Sequence, residues 1–301
     1  MILKNFNELI KKTQNDKSKK RVVVVVAQDE HTLQAVFRAK KDGIVAPILI
    51  GNKGKIKEIL DKLNESIDED AIINVDGDVE AAIKAVELIH ENKADFIMKG
   101  KIQTSDLLKA VVNKEKGLRT GRVMSHFVIH EMPSYHKLLV VTDGGMMMYP
   151  TVDEKRQILE NAVETLIAMG YEKPKVAVLA AVENVNPKMP ESIDADILKK
   201  MNQSGEIKDC IVEGPISYDL AMSKESAKLK GYYSPVTEDC DILIVPNITA
   251  GNILGKALLY SSGAKMAGFI VGAKVPIVLT SRGASAQEKY LSLALSASVA
   301  K

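Results

Sequence analysis

Short apolar runs alternate with longer stretches of helical periodicity along most of the chain. Residues 22–27 are five valines followed by an alanine, which predicts a strand buried on both faces. The same signal predicts further strands at residues 47–51, 72–75, 96–98, 138–141, 175–181, 211–212, 242–245, 268–271 and 275–280. Helical patterns separate them at residues 30–41, 52–63, 79–91, 104–112, 153–169, 193–202 and 251–260, with a last helix starting near residue 285. This alternation predicts α/β architecture, with parallel strands and right-handed crossovers.

Length and charge narrow the class of protein. With 301 residues, of which 46% are hydrophobic, the chain can bury two medium-sized cores, so two domains are expected. The 41 basic and 39 acidic residues are spread evenly, whereas a nucleic-acid binder concentrates basic charge on one face. Aromatic residues are only 4% and tryptophan is absent, which also disfavours base stacking. We therefore expect no nucleic-acid partner.

The cysteines and the apolar runs bear on the compartment. Cys210 and Cys240 form neither a disulfide framework nor a metal-ligand spacing, which fits a reducing cytoplasm. The first residues lack the apolar core of a signal peptide, and no apolar run approaches about 18 residues. The sequence thus predicts a cytoplasmic protein that does not span a membrane.

Glycines and polar residues follow four of the predicted strands. They are Lys99, Gly100 and Thr104 after the strand at 96–98, Asp143 after 138–141, Asn247, Gly251 and Asn252 after 242–245, and Ser281 and Arg282 after 275–280. Each has an ordinary structural explanation: Asp143 fits a turn, Thr104 a helix N-cap, and Lys99 an exposed strand end. Ligands in open α/β folds bind beyond the carboxyl ends of strands, so the joint placement favours a binding site.

The turn after the last predicted strand points to an anion. Arg282 is the only arginine after Arg156, and a helix begins just beyond it. A helix N-terminus offers free N–H groups, and the planar fork of arginine suits phosphate better than a lysine does. A phosphorylated substrate is our first interpretation, and an arginine on a surface turn is the alternative. Ser285 and Glu288 have capping-box spacing, although the Glu288 carboxylate could also act as a general base.

The sequence gives little support for metal, serine-hydrolase or nucleotide chemistry. The histidines show no metal-ligand spacing, and only His126 is retained as a candidate lining residue. There is no G-x-S-x-G elbow, no Walker A motif and no G-x-G-x-x-G after the first strand. Residues 146–148 are three methionines beside Asp143, which is consistent with loop packing or with a pliable pocket for a short alkyl chain.

Several segments resemble the phosphate acetyl/butyryl transferase family, and its butyryl branch most closely. They occur in order over nearly the whole chain, at residues 27–30 (AQDE), 93–95 (KAD), 98–100 (MKG), 118–122 (LRTGR), 124–126 (MSH), 182–183 (VE), 186–190 (NPKMP), 214–215 (GP), 246–247 (PN), 251–252 (GN) and 279–282 (LTSR). The resemblance implies a two-domain, three-layer parallel-sheet fold of the isocitrate/isopropylmalate dehydrogenase-like type, with the active site in the interdomain cleft. It places residues 1–136 and 273–301 in one domain and residues 137–272 in the other.

The resemblance also implies reversible transfer of a short-chain acyl group, butyryl first, between coenzyme A and inorganic phosphate. It further implies that no metal or further cofactor takes part and that the partners are the small-molecule substrates. The family's catalytic serine–arginine pair falls on Ser281 and Arg282. An aspartate seven residues after that serine acts as the base in the acetyl branch, and here Glu288 occupies the position. An arginine of the family's phosphate site has its nearest counterpart in Lys109.

Three alternatives stay open. Acetyl specificity is the nearest, and a β-decarboxylating dehydrogenase of the same fold is disfavoured because no aspartate cluster for a metal follows a strand. The third is a non-catalytic acyl-CoA-binding protein. Members of this family are homo-oligomers, at least dimers, and the same is expected here.

Overall fold

The computed structural model describes residues 2–16, 18–281 and 283–301. The strands are β1 (Lys20–Val25), β2 (Val45–Gly51), β3 (Ile72–Asn74), β4 (Phe96–Lys99), β5 (Ser125–Glu131), β6 (Leu139–Thr142), β7 (Lys175–Leu179), β8 (Ile211–Ile216), β9 (Ile242–Ile244), β10 (Lys265–Val271) and β11 (Ile277–Val278). The helices are α1 (Phe6–Gln14), α2 (Glu30–Lys41), α3 (Lys53–Lys62), α4 (Asp78–His90), α5 (Thr104–Val111), α6 (Val152–Ala168), α7 (Pro190–Gln203), α8 (Tyr218–Met222), α9 (Lys224–Leu229), α10 (Ile248–Ser261) and α11 (Ala286–Ala297).

The chain divides into two compact units. Unit 1 consists of Met1–Asn5 and Val123–Lys265, and unit 2 consists of Phe6–Arg122 and Met266–Lys301. The sequence predicts domain boundaries after residue 136 and before residue 273. The first boundary in the structure instead follows Arg122. Strand β5, which was not predicted, lies between the predicted and the observed position of this boundary.

Unit 2 is built on strands in the order β3-β2-β1-β4-β11-β10. The first five are mutually parallel, and β10 pairs with β11 in the antiparallel direction. The valines of β1 lie between β2 and β4 and are fully buried, because helices cover both faces of a parallel sheet. Helix α11 packs against α2 and extends this core.

Unit 1 has the strand order β5-β6-β9-β7-β8. Strand β5 runs antiparallel to β6, and the remaining pairs are parallel. One side of the core joins Leu139, Val141, Leu243 and Val245 to Leu258 of α10. The predicted α/β class with mostly parallel strands is therefore confirmed, although antiparallel pairs occur in both units.

Two predicted helix N-caps are wrong. Helix α6 is capped by Thr151 rather than Asp153, and Thr151 and Glu154 form a reciprocal capping box. Helix α5 has Gln103 at its N-cap, so Thr104 is its first helical residue. Each helix starts within two residues of the predicted cap, which is where sequence patterns are least informative.

Helices in the described parts of the chain fall short of the length and apolar character that crossing a bilayer requires.

Candidate active site

In unit 2, strand β4 ends at a buried lysine that pairs with Val25 of β1. Lys99 is 7% exposed, so the alternative explanation of an exposed strand end is wrong. Its Nζ donates to the Gly100 carbonyl at 3.3 Å. Gly100 itself donates its N–H to the Val25 carbonyl at 2.9 Å. A Cβ at residue 100 would lie 2.3 Å from the Val26 carbonyl oxygen, so this approach of two backbones requires glycine.

The start of α11 in unit 2 carries the predicted capping box. The Ser285 Oγ accepts the N–H of Glu288 at 3.2 Å, and the Glu288 carboxylate accepts the N–H of Ser285 at 2.8 Å. The structure therefore gives Glu288 a structural partner. Its role as a base stays a prediction.

The turn between β11 and α11 presents an exposed serine. The Ser281 Oγ accepts the N–H of Gly283 at 3.4 Å, and the Ser281 carbonyl accepts the N–H of Ala284 at 3.0 Å. Arg282, the predicted phosphate ligand, lies outside the described residues. The N–H groups of Gly283 and Ala284 thus hold Ser281, whose side chain stays at the surface.

Lys289 is a buried lysine beside Thr280 that the sequence did not single out. It is 6% exposed, and its Nζ donates to Thr280 Oγ1 at 3.1 Å and lies 3.9 Å from the Asp29 carboxylate. Burial lowers the pKa of Lys289, and the nearby carboxylates of Asp29 and Glu288 act in the opposite direction. A lysine in the first turn of a helix is ordinarily solvated, so the sequence carried no signal for it.

Helix α5 contributes two further predicted residues. Thr104 is exposed in the first turn. The Lys109 side chain is 78% exposed and pairs with Asp106 of the same helix at 3.2 Å. This pair spans i and i+3, an ordinary surface arrangement of modest strength.

In unit 1 the loop after β6 winds around the Asp143 carboxylate. Asp143 is 3% exposed and accepts the N–H groups of Gly145 at 2.8 Å, Met146 at 2.9 Å and Met147 at 2.9 Å. A buried carboxylate with three donors is well satisfied. These contacts agree with the ordinary explanation of Asp143 as a turn residue, and the carboxylate holds the loop.

The start of α10 fixes the other side of this loop. Asn247 is the N-cap, and its side chain accepts the N–H of Ala250 at 3.0 Å. A Cβ at Gly251 would lie 2.7 Å from the Gly144 Cα, so the two backbones touch. The Asn252 side chain donates to the Gly144 carbonyl at 3.4 Å. The structure thus brings Asp143, Asn247, Gly251 and Asn252 together.

His126 on β5 also belongs to this group in unit 1. Its ring packs against the backbone of Gly145. Enclosure of the ring lowers the pKa of His126, and the charge of Asp143 acts in the opposite direction. His126 therefore lies beside the loop, with its ring against Gly145.

Apolar side chains project from the loop that Asp143 holds. Met148 is 67% exposed and Tyr149 is 79% exposed, while Met146 and Met147 are half-buried. The Met148 carbonyl accepts the N–H of Ile248 at 3.1 Å, which ties the loop to α10. A restrained loop that exposes large apolar side chains is typical of a surface for an apolar ligand.

Among the described residues, no three or more histidine, cysteine and carboxylate side chains are placed to hold a metal ion.

Units of mostly parallel sheet with polar residues beyond their strands are the architecture of an α/β enzyme. The model of a family described as phosphate acetyl/butaryl transferase matches residues 5–82 and 78–297. The chain belongs to this family of acyltransferases.

Curated relatives span almost the whole chain. It is 44% identical over 299 residues to the phosphate butyryltransferase of Clostridium acetobutylicum, covering 99% of each chain. It is 45% identical over 278 residues to the phosphate acetyltransferase of Thermotoga maritima, covering 92% of this chain and 94% of that one. The crystal structure of a branched-chain phosphotransacylase from Enterococcus faecalis V583 is similar with a TM-score of 0.81 and 34% identity, covering 93% of this chain and 99% of that one.

Proposed function

We propose that the protein transfers a butyryl group reversibly between coenzyme A and inorganic phosphate. The observation that carries the proposal is the 44% identity, over 99% of both chains, to a phosphate butyryltransferase. Acetyl transfer is the second candidate, because a phosphate acetyltransferase is 45% identical over 92% of this chain.

The chemistry we assign to unit 2 concerns phosphate and the thiol. Arg282 binds the phosphate group, and the Ser281 hydroxyl, exposed in its turn, stabilises the oxyanion that develops on the acyl carbon. Glu288 takes the proton of the coenzyme A thiol. The thiolate attacks the carbonyl carbon of the acyl phosphate, a C–S bond forms, the C–O bond to phosphate breaks, and phosphate leaves. In the reverse direction phosphate is the nucleophile and the thiol is released.

The loop of unit 1 favours a longer acyl chain. Butyryl exceeds acetyl by two methylene groups, whose burial contributes about 1.6 kcal/mol, or about 15-fold in rate. Met146, Met147 and Met148 offer flexible apolar side chains on a backbone fixed by Asp143. This is the observation that favours butyryl over acetyl.

The other predicted substrate-binding residues keep that role as proposals. In unit 2 these are Lys99, Gly100, Thr104 and Lys109. In unit 1 they are His126, Asp143, Asn247, Gly251 and Asn252. Since the Asp143 carboxylate is occupied by N–H groups of its own loop, we assign its contribution to shaping the loop.

The test is thiol release from butyryl-CoA on addition of inorganic phosphate, with acetyl-CoA in parallel. We expect phosphate-dependent release, and a kcat/KM for butyryl-CoA about tenfold or more above that for acetyl-CoA. A preference for acetyl-CoA would leave the mechanism in place and overturn the proposed chain length. Absence of release with both would favour a non-catalytic acyl-CoA-binding protein.

We further propose that coenzyme A and phosphate are substrates and that no cofactor is needed. Activity that survives dialysis against a chelator supports this proposal, and loss that is restored by a divalent ion contradicts it. We also propose a cytoplasmic homo-oligomer, for which light scattering on the purified protein gives the mass.

A further inference from the structure

The first turn of α11 buries a charge that the chemistry proposed above leaves without a role. Lys289 is 6% exposed, and among the described residues one hydroxyl, Thr280 Oγ1, lies within hydrogen-bond distance of its Nζ at 3.1 Å. An ammonium has three donors. Its carboxylate neighbour, Asp29, is 3.9 Å away, which is too long for a hydrogen bond.

Asp29 is itself committed elsewhere. It is the N-cap of α2, where its side chain accepts the N–H of Thr32 at 3.0 Å and also the Thr32 hydroxyl. A carboxylate shared in this way compensates a buried ammonium only in part. Burying a charge without close partners is costly, so such a group is typical of a functional site.

Neighbours on both sides fix the direction of the Lys289 side chain. Gln287 accepts a hydrogen bond from Arg38 of α2, and the Tyr290 hydroxyl donates to Asp42 at 2.7 Å. The Arg38 guanidinium also lies 4.0 Å from the centre of the Tyr290 ring. The turn of α11 that carries Lys289 is therefore anchored to α2, and its Nζ is held beside Thr280, the residue before Ser281.

We propose that Lys289 is a further phosphate ligand of this acyltransferase, acting beside Thr280 and Ser281. The inference rests on the proposed function. One N–H of the ammonium stays on Thr280, and the others donate to phosphate oxygens. A preorganised ammonium in a water-poor position binds a phosphate strongly, and it stabilises the charge that phosphate gains when it leaves the acyl carbon.

The test compares Lys289→Met with the wild-type enzyme. We expect the KM for phosphate to rise roughly 10- to 100-fold, as for a lost charge-assisted hydrogen bond. Calorimetric titration with inorganic phosphate should show the same loss of affinity without turnover. Lys84→Met is the matched control, because Lys84 pairs with Glu87 on α4 of the same unit and should leave phosphate binding unchanged.

A second variant separates a ligand from a positioning residue. Thr280→Val keeps the shape of the side chain and removes the acceptor of Lys289. If Lys289 binds phosphate directly, Thr280→Val keeps most of the phosphate affinity. A loss equal to that of Lys289→Met would show that Lys289 acts only through Thr280, and would overturn the proposal.

Stability gives an independent readout. Lys289 has no carboxylate within hydrogen-bond distance among the described residues, so removing its buried charge relieves desolvation. Lys289→Met should therefore melt at or above the wild-type temperature. A clearly lower melting temperature with an unchanged KM for phosphate would make Lys289 a structural residue. If the wild-type enzyme releases no thiol with phosphate, the proposed function fails, and phosphate titration still tests the site.

Discussion

Glu288 combines a structural bond with a proposed chemical role, and one substitution separates them. Its carboxylate accepts the N–H of Ser285 at 2.8 Å, a bond that a glutamine oxygen can also accept. Glu288→Gln should therefore keep the cap and lose the base. We expect kcat to fall roughly 10²- to 10⁴-fold while the melting temperature stays nearly unchanged.

Thiol release and thermal unfolding of Glu288→Gln measure the two effects. Ser285→Ala is the control for the cap, since it removes the acceptor of the Glu288 N–H and should cost about 1 kcal/mol in stability. Wild-type turnover by Glu288→Gln would assign the base to another group.

Arg282 is expected to bind phosphate through the bidentate hydrogen bonding of its guanidinium as well as through its charge. Arg282→Ala should cost about 2–4 kcal/mol in transition-state binding, measured as kcat/KM for phosphate. Arg282→Lys keeps the charge but not the bidentate geometry and should recover only part of that loss. Arg156→Ala in unit 1, where Arg156 pairs with Glu160 at 3.0 Å, is the control. Near-normal turnover by Arg282→Ala would exclude the assigned site.

At the scale of elements, the loop after β6 depends on Asp143. Asp143→Ala leaves three N–H groups without their acceptor, so the loop should lose its conformation. We expect kcat/KM for butyryl-CoA to fall roughly 10- to 100-fold. Asp143→Asn should be intermediate, because one oxygen can still serve Gly145 and Met146. Equal losses for butyryl-CoA and acetyl-CoA would contradict a role of the loop in chain length.

A buried ion network lies at the amino-terminal ends of strands β6, β7 and β9 in unit 1. Lys137 is 1% exposed and pairs with Asp239 at 2.8 Å and Asp241 at 2.7 Å. Burial raises the pKa of Asp239, but hydrogen bonds from Lys137 and Lys175 outweigh it and hold the pKa at about 2. The network joins the segments that lead into β6, β7 and β9.

Lys137→Met should destabilise the protein by about 3–5 kcal/mol in urea unfolding, because it leaves buried carboxylate charge unpaired. Lys265→Met is the control, since Lys265 pairs with Glu131 at the surface and its loss should cost less than about 1 kcal/mol. Similar small losses for both variants would show that the network is not needed for stability.

The elements that the sequence predicted best are those with one dominant signal. The valines of β1 have no polar interruption, and Ser285 with Glu288 carries a capping box. Strand β5 was not predicted because Ser125 and His130, both buried, interrupt its apolar pattern. Tertiary structure decides such positions, since burial of a polar side chain depends on partners that are remote in the sequence.

Part of the candidate site could be predicted from the sequence. Asp143 and Asn247 were predicted because they follow strands, and parallel strands end at a common edge of the sheet. Lys289 was not, because its burial arises from the packing of α11 on α2 and from the proximity of Asp29. An exposed strand end was one explanation of Lys99 in the sequence, whereas the structure buries this residue beside Val25 of β1.

At the scale of the whole molecule, a buried histidine couples stability to pH. His130 on β5 is 1% exposed, and burial lowers its pKa from 6.5 to about 4, with nearby His126 adding to the effect. Below pH 6.5 the unfolded chain binds a proton at this ring, whereas the folded chain binds it only near pH 4. The stability that the neutral ring maintains is therefore complete above pH 6.5 and is lost as the pH falls to 4.

Urea unfolding between pH 7 and pH 4 measures this loss, which for His130 amounts to about 3 kcal/mol. His130→Leu removes the group that must be charged, so its stability should fall less over the same range. The pH dependence of stability that remains in His130→Leu includes a contribution from His126, whose pKa is also lowered. His31→Gln, at an exposed position on α2, should retain the wild-type slope. Because leucine cannot bind a proton, equal slopes for His130→Leu and the wild-type protein would mean that acid destabilisation arises elsewhere in the molecule.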